Sequence, residues 1–159
     1  DWCWLIAPHE MHEAKLNQLM AQLPKGSLRF TQNEEAASNG CPVLVLDTVG
    51  MLSRCYPYAS LAYVGGGIGT SGLHNILEPA AEGVPIVIGK NYDTFPEAKD
   101  LIALGGVISV ATADACSKQL SILQENDALR EEKGSTNKNY VRTNQGATAK
   151  TLSLLNQHL

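Results

Sequence analysis

The sequence predicts an α/β fold built on a doubly wound parallel sheet, and three observations carry that expectation. Short unbroken apolar runs recur at 43–46 (Val43-Leu44-Val45-Leu46), 61–64, 85–88 (Pro85-Ile86-Val87-Ile88) and 107–110, as expected of strands buried on both faces of a parallel sheet. Stretches with helical spacing alternate with them, the order that right-handed β-α-β crossovers produce. A glycine-dense segment, Gly65-Gly66-Gly67-Ile68-Gly69-Thr70-Ser71-Gly72, lies between strand 61–64 and an Ala-rich helical stretch. That strand–loop–helix order lets backbone N–H groups approach an anion closely.

The elements follow in order. Asp1-Trp2-Cys3-Trp4-Leu5-Ile6-Ala7 reads as a core strand over 2–7, and a chain that opens inside a strand looks like a piece cut from a longer protein. Helix 10–23 places Met11, Ala14, Leu16, Leu19, Met20 and Leu23 at roughly helical spacing and is closed by Gly26. Strands 27–31 and 43–46 come next, then a short helix near 50–58 and strand 61–64. Beyond the glycines the pattern predicts helix 73–83, strand 85–88, helix 94–104, strand 107–110 and helix 113–130. The polar run 133–144 reads as a loop, and 147–155 again has helical spacing. With 44% hydrophobic and 18% charged residues among 159, the chain reads as one domain over 1–159 with a real core.

Composition also excludes whole classes. A net charge of −4 and the lack of a basic stripe argue against nucleic acid as a partner. No apolar run approaches the ~18 residues that span a bilayer, and no signal peptide opens the chain. Cys3, Cys41, Cys55 and Cys116 are scattered without CxxC spacing. They read as buried reduced thiols of a cytosolic protein, not as a disulfide framework or a zinc site. In His9-Glu10-Met11-His12-Glu13 the histidines stand three apart, not the four that HExxH needs. Acids in a first helical turn are the plain reading there, with His9 on a ligand rim as the functional one.

Ligands of doubly wound folds bind outside the carboxyl ends of the strands. Loops 7–13, 47–51, 65–75 and 89–95 all follow such ends. Gly67-Ile68-Gly69-Thr70-Ser71-Gly72 matches G-x-G-x-x-G, but a dinucleotide site also needs an acid at the next strand end. Strand 85–88 runs instead into Gly89-Lys90-Asn91, and Asp93 lies beyond it. A tight turn without a ligand is the plainer alternative. His74, Asn75, Glu78 and Glu82 share one arc of a regular helix, although Pro79 argues for a start near Asn75. Asn75 is then an N-cap and Glu78 its capping-box partner. The whole segment reads as a phosphate site for a nucleotide or nucleotide-sugar.

Taken in order from about Leu5 to Gly106, several motifs now converge: Asp47-Thr48-x-Gly50-x-Leu52, Ala62-Tyr63-Val64-Gly65-Gly66, Gly72-x-His74-Asn75-x-Leu77-Glu78, Gly83-x-Pro85, Asn91 and Phe95-x-Glu97. Together they resemble the carboxyl-terminal half of bacterial 3-deoxy-D-manno-octulosonate (Kdo) transferases. The HN-x-x-E-P…G-x-P pattern alone resembles the wider GT-B glycosyltransferase class.

The resemblance implies a Rossmann-like carboxyl-terminal domain that holds the donor CMP-Kdo. A missing amino-terminal domain would hold the lipid A precursor and the catalytic base, so this chain contributes no catalytic residue. It implies inverting, metal-independent transfer without a cofactor. The full-length protein would lie on the cytoplasmic side of the bacterial inner membrane with peripheral contact, this piece being soluble.

Carried over position by position, Gly65, Gly66, Gly67 and Gly72 shape the loop under the donor. His74, Asn75 and the helix start meet the phosphate, and Glu78 meets the ribose. Met51 would lie near the cytosine, and Pro8 and His9 begin the loop on the other side. Where many members of that family place Arg-His after Pro8, this chain has His9-Glu10, and Lys90 replaces a common proline; either could restore the missing cation. Three other readings stay open: a UDP-sugar transferase or epimerase, a stand-alone nucleotide-binding module, and an NAD-dependent enzyme.

Overall fold

The computed structural model describes residues 2–32, 41–69 and 72–156. The chain divides into two compact units, Asp1–Cys55 and Tyr56–Leu159, each with a parallel three-stranded sheet. The first contains β1 (Trp4–Ile6), α1 (Glu13–Met20), β2 (Leu28–Arg29), β3 (Val43–Val45) and α2 (Leu52–Cys55). Its strand order is β1-β3-β2. The second contains β4 (Ala62–Val64), α3 (Leu77–Glu82), β5 (Ile86–Gly89), α4 (Pro96–Ala103), β6 (Val107–Val110), α5 (Ala113–Glu125), α6 (Asp127–Thr143) and α7 (Ala147–Asn156). Its order is β4-β5-β6.

In the first unit Val43 and Val45 of β3 pack with Leu16 of α1 in one buried cluster. The segment 2–7, expected as a core strand, is shorter and lies at the sheet edge, with Trp4 38% exposed. Among the described residues it pairs with β3 alone, at the edge of the sheet. Strand 27–31 likewise shortens to two residues and ends in a 3₁₀ turn, Phe30–Gln32. Helix 10–23 contracts to α1, and Cys3, expected to be buried, is exposed.

The second unit matches the doubly wound expectation. All four residues of β5 are buried, because this strand is paired on both sides and covered on both faces. Successive side chains of a strand point to opposite faces. Accordingly, Ile86 and Ile88 join a cluster with Ile76, Ala80, Ala98 and Leu101, while Val87 joins another with Val110 and Leu123. Helices α3 and α4 therefore cover one face and α5 the other.

Two helical expectations fail at the carboxyl-terminal end. The helix read over 113–130 breaks at Asn126, whose extended backbone ends α5 and whose Oδ1 accepts from the Leu129 N–H at 2.9 Å, capping α6. Arg130 secures the break by donating to the Leu123 and Gln124 carbonyls. The run 133–144, expected as a loop, is helical through most of its length as part of α6. Its polar sequence hides how it docks. Gly134 lets α6 approach so closely that a Cβ there would stand 2.0 Å from the Gly83 carbonyl oxygen. Asn137, fully buried, donates from Nδ2 to the Val84 carbonyl at 2.8 Å, and Lys133 donates to the Gly105 carbonyl at 2.8 Å. Tyr140 and Val141 add apolar contact to the core cluster.

Gly134 gives a test with a clear sign. Helix propensity alone favours alanine over a mid-helix glycine by roughly 0.5–1 kcal/mol. The close approach predicts the opposite, since overpacking against backbone costs about 1–3 kcal/mol. We expect Gly134→Ala to lower the denaturant midpoint; an increase would remove the close-docking account of α6.

Among the described residues, no helix is long and apolar enough to cross a membrane.

Candidate functional site

The carboxyl ends of β4 and β5 lie on the same edge of their sheet because the strands are parallel and adjacent. The loops that leave them, 65–76 and 90–95, are bound together by backbone. Gly67 and Gly89 approach so closely that a Cβ on Gly89 would stand 2.1 Å from the Gly67 carbonyl carbon and 2.3 Å from the Ile68 nitrogen. A Cβ on Gly67 would reach Gly89 at 3.0 Å. Gly66 has φ +90°, and a Cβ there would meet the Gly72 oxygen at 1.8 Å. The glycines thus serve a backbone-on-backbone contact, a reason that the spacing of the motif does not reveal. Thr70 and Ser71, the x-x of that motif, lie outside the described residues.

The loop closes where His74 N–H donates to the Gly65 carbonyl at 3.1 Å. Asn91 bridges from β5, with its N–H donating to the Gly67 carbonyl at 2.8 Å and its Nδ2 to the Gly69 carbonyl at 2.8 Å. The sequence motifs include Asn91 but show nothing of this double contact, which reaches residues 24 and 22 positions earlier.

At the loop exit the structure brings Asn75 and Glu78 together. Asn75 Oδ1 accepts from the Leu77 N–H at 2.9 Å, and its Nδ2 donates to Glu78 Oε1 at 3.0 Å. This is a side-chain variant of the expected capping box, because Glu78 holds the Asn75 amide and not its backbone. Helix α3 begins at Leu77, not at residue 73, and spans six residues, so His74 and Asn75 precede it. Pro79 sits in its first turn, where its missing N–H sacrifices no intrahelical bond. The consequence for anion binding is specific. Leu77's N–H is already taken and Pro79 has none, so the start of α3 offers an anion fewer backbone donors than a regular helix N-terminus.

In the first unit, the residues named by the sequence also stand after strand ends. Half-buried Pro8 and exposed His9 follow β1, and half-buried Met51 lies just before α2. Asp47, after β3, engages both its oxygens. Oδ1 accepts from the Thr31 N–H at 3.0 Å; Oδ2 accepts from Thr31 Oγ1 at 2.6 Å and from Arg29 Nε at 2.8 Å. Arg29 also grips Glu13 through both guanidinium ends, at 2.8 and 2.9 Å. Burial by itself would raise the Asp47 carboxyl, but the Thr31 and Arg29 donors outweigh it and hold it at about 2. The bond from Arg29 holds the Glu13 carboxyl below its ordinary range, and the guanidinium is correspondingly raised. Asp47 therefore braces its own loop and is not poised as a base. The sequence reading did not foresee Arg29; a lone arginine ending one strand beside an aspartate ending another is a faint signal.

Burial pushes the thiols of Cys55 and Cys116 up, and partial desolvation of the Cys3 Sγ beside Cys41 does the same although that residue is exposed, which keeps all three protonated and poorly nucleophilic. All four cysteines are free. Among the described residues, no group of three His, Cys, Asp or Glu side chains is placed to hold a metal.

No protein-family model matches the chain. It is similar to the 3-deoxy-D-manno-octulosonic acid transferase of Haemophilus influenzae, 31% identical over 159 residues that cover 98% of this chain and 37% of that protein. The transferase of the same name from Bordetella pertussis is 29% identical over 153 residues, 93% of this chain and 36% of its own length. The chain thus spans little more than a third of these relatives. Among solved structures, it resembles the C-terminal CMP-Kdo binding domain of WaaA from Acinetobacter baumannii, with a TM-score of 0.76 at 21% identity over 87% of this chain and 72% of that one. That likeness matches the expected Rossmann-like α/β fold. By these sequence matches the chain is a homologue of part of the 3-deoxy-D-manno-octulosonic acid transferases, and it shares the architecture of the solved domain.

Proposed function

We propose that this chain is the donor-binding part of a glycosyltransferase that moves Kdo from CMP-Kdo to a lipid A precursor. The observation that carries the reading is the glycine loop packed backbone-on-backbone against Gly89, with the Asn75–Glu78 pair at its exit. Loop N–H groups suit a phosphate, because fixed backbone donors stabilise charge without reorganising. Glu78 uses Oε1 on Asn75, and a carboxylate has further acceptor capacity for ribose hydroxyls. In this reading His74, whose N–H closes the loop on the Gly65 carbonyl, contributes to the phosphate end of the site. Exposed Lys90 at the end of β5 is a candidate for the cation that the His9-Glu10 departure removes. On family grounds alone, Met51 is assigned to the cytosine, Pro8 to the loop on the other side, and His9, like Lys90, to the missing cation.

The chemistry in this reading is inverting displacement at the anomeric carbon of Kdo with CMP departing. This chain's share is to hold the donor and accept the charge that develops on the leaving phosphate. The base and the acceptor site belong to an amino-terminal domain, and the full protein works at the cytoplasmic face of the inner membrane. No metal or cofactor is required for this share.

Calorimetric titration with CMP, UDP and NAD tests the reading. CMP should bind most tightly, and Glu78→Ala should weaken it at least about tenfold, equivalent to ~1.4 kcal/mol. A preference for UDP would move the site to another GT-B donor, and tight NAD binding would sink the phosphate-loop assignment.

A further inference from the structure

The glycine loop is held to β5 almost without side chains. Its closest neighbour is the backbone of Gly89, and contact between two glycines offers little packing to fix an orientation. What fixes it is polar. Asn91 donates from its own N–H to the Gly67 carbonyl and from Nδ2 to the Gly69 carbonyl, both at 2.8 Å. One residue therefore grips two alternate carbonyls of the loop. In a trans peptide the C=O and N–H point opposite ways. Turning the Gly67 carbonyl toward Asn91 thus aims the Ile68 N–H away from the β5–α4 turn. Glycine-rich backbone loses more conformational freedom on ordering than any other, so a loop already oriented binds an anion at a smaller entropic cost.

We propose that Asn91 is the positioning residue of the phosphate loop: its two donors hold the Gly67 and Gly69 carbonyls and so fix the loop whose N–H groups, that of Ile68 among them, meet the donor's phosphate. This role rests on the donor reading above. Asparagine suits it because the amide supplies a donor that aspartate lacks. The side chain is exposed, so its truncation removes the Gly69 contact without opening the core and leaves the backbone bond to Gly67 in place.

The test is an NMR titration of the parent chain, Asn91→Ala and Asn91→Asp with CMP and with cytidine, together with amide exchange of Gly66, Gly67, Ile68 and Gly69 before ligand is added. Both variants should bind CMP about tenfold more weakly, bind cytidine within twofold of the parent, and exchange loop amides faster at an unchanged melting temperature. Equal loss of CMP and cytidine affinity, or loop exchange indistinguishable from the parent, would overturn the role. A parent chain that binds CMP, paired with an Asn91→Ala variant that binds it equally, would remove this proposal alone. A parent that binds neither ligand would remove the donor reading and this role with it.

Discussion

Arg29→Ala is expected to lower the denaturant midpoint of the first unit, because it leaves the shielded Asp47 carboxylate without its counter-charge. The reason lies in how unevenly the pair is exposed. The Arg29 side chain is 8% exposed and the Asp47 side chain 0%, whereas the Glu13 side chain is 72% exposed. Glu13 can return to water when Arg29 is removed; Asp47 cannot. Its carboxylate would stay shielded, with Thr31 still donating to it from N–H and Oγ1, at the end of the strand that supports loop 47–51. A denaturant midpoint within error of the parent would show that the network contributes nothing.

The same network has a pH signature. Asp47 titrates at about 2 in the fold, against an ordinary value of 3.8. A depressed carboxyl contributes stability that is fully present above the unfolded value and is lost as pH falls through the folded one. The window is therefore about pH 4 down to pH 2, and the amount is about 2 kcal/mol. Denaturation curves across this window should slope more steeply for the parent than for Asp47→Asn, which cannot titrate there. Parallel slopes would contradict the assignment.

Gly89→Ala should have the largest effect on ligand binding. The added Cβ would meet Gly67 and Ile68 backbone atoms at 2.1–2.4 Å, and backbone cannot rotate aside as a flexible side chain can. Because β5 is paired on both sides by β4 and β6, the loop must yield instead of the strand. A displacement of about 1 Å in a preorganised site can cost about a hundredfold. CMP affinity is expected to fall on that scale while the fold loses about 1–3 kcal/mol. Affinity within twofold of the parent would mean that the loop's position does not matter to the ligand.

Much of this architecture was legible because burial on two faces imposes continuous apolar runs. The runs 43–46, 61–64, 85–88 and 107–110 became β3, β4, β5 and β6 within a residue at either end. The strand-then-glycine order likewise located the candidate site, and Asn75 and Glu78 were paired correctly in space though not in bonding detail. Local pattern failed where an element owes its place to a few distant contacts. Helix α6 has little apolar periodicity, and its docking depends on Gly134 and Asn137 meeting residues about 50 positions earlier. Segment 2–7 carries apolar residues, yet its place at the sheet edge leaves Trp4 and Leu5 exposed.

The sequence by itself determined the fold class, the strand-and-helix order and the glycine loop, because backbone propensity and binary patterning act over neighbouring residues. Only the tertiary structure decided why those glycines are needed, that Asn91 orients the loop they form, and that Asp47 is consumed by Arg29 and Thr31. Those outcomes depend on distances of about 2–3 Å between residues far apart in the chain, and no local pattern encodes such distances.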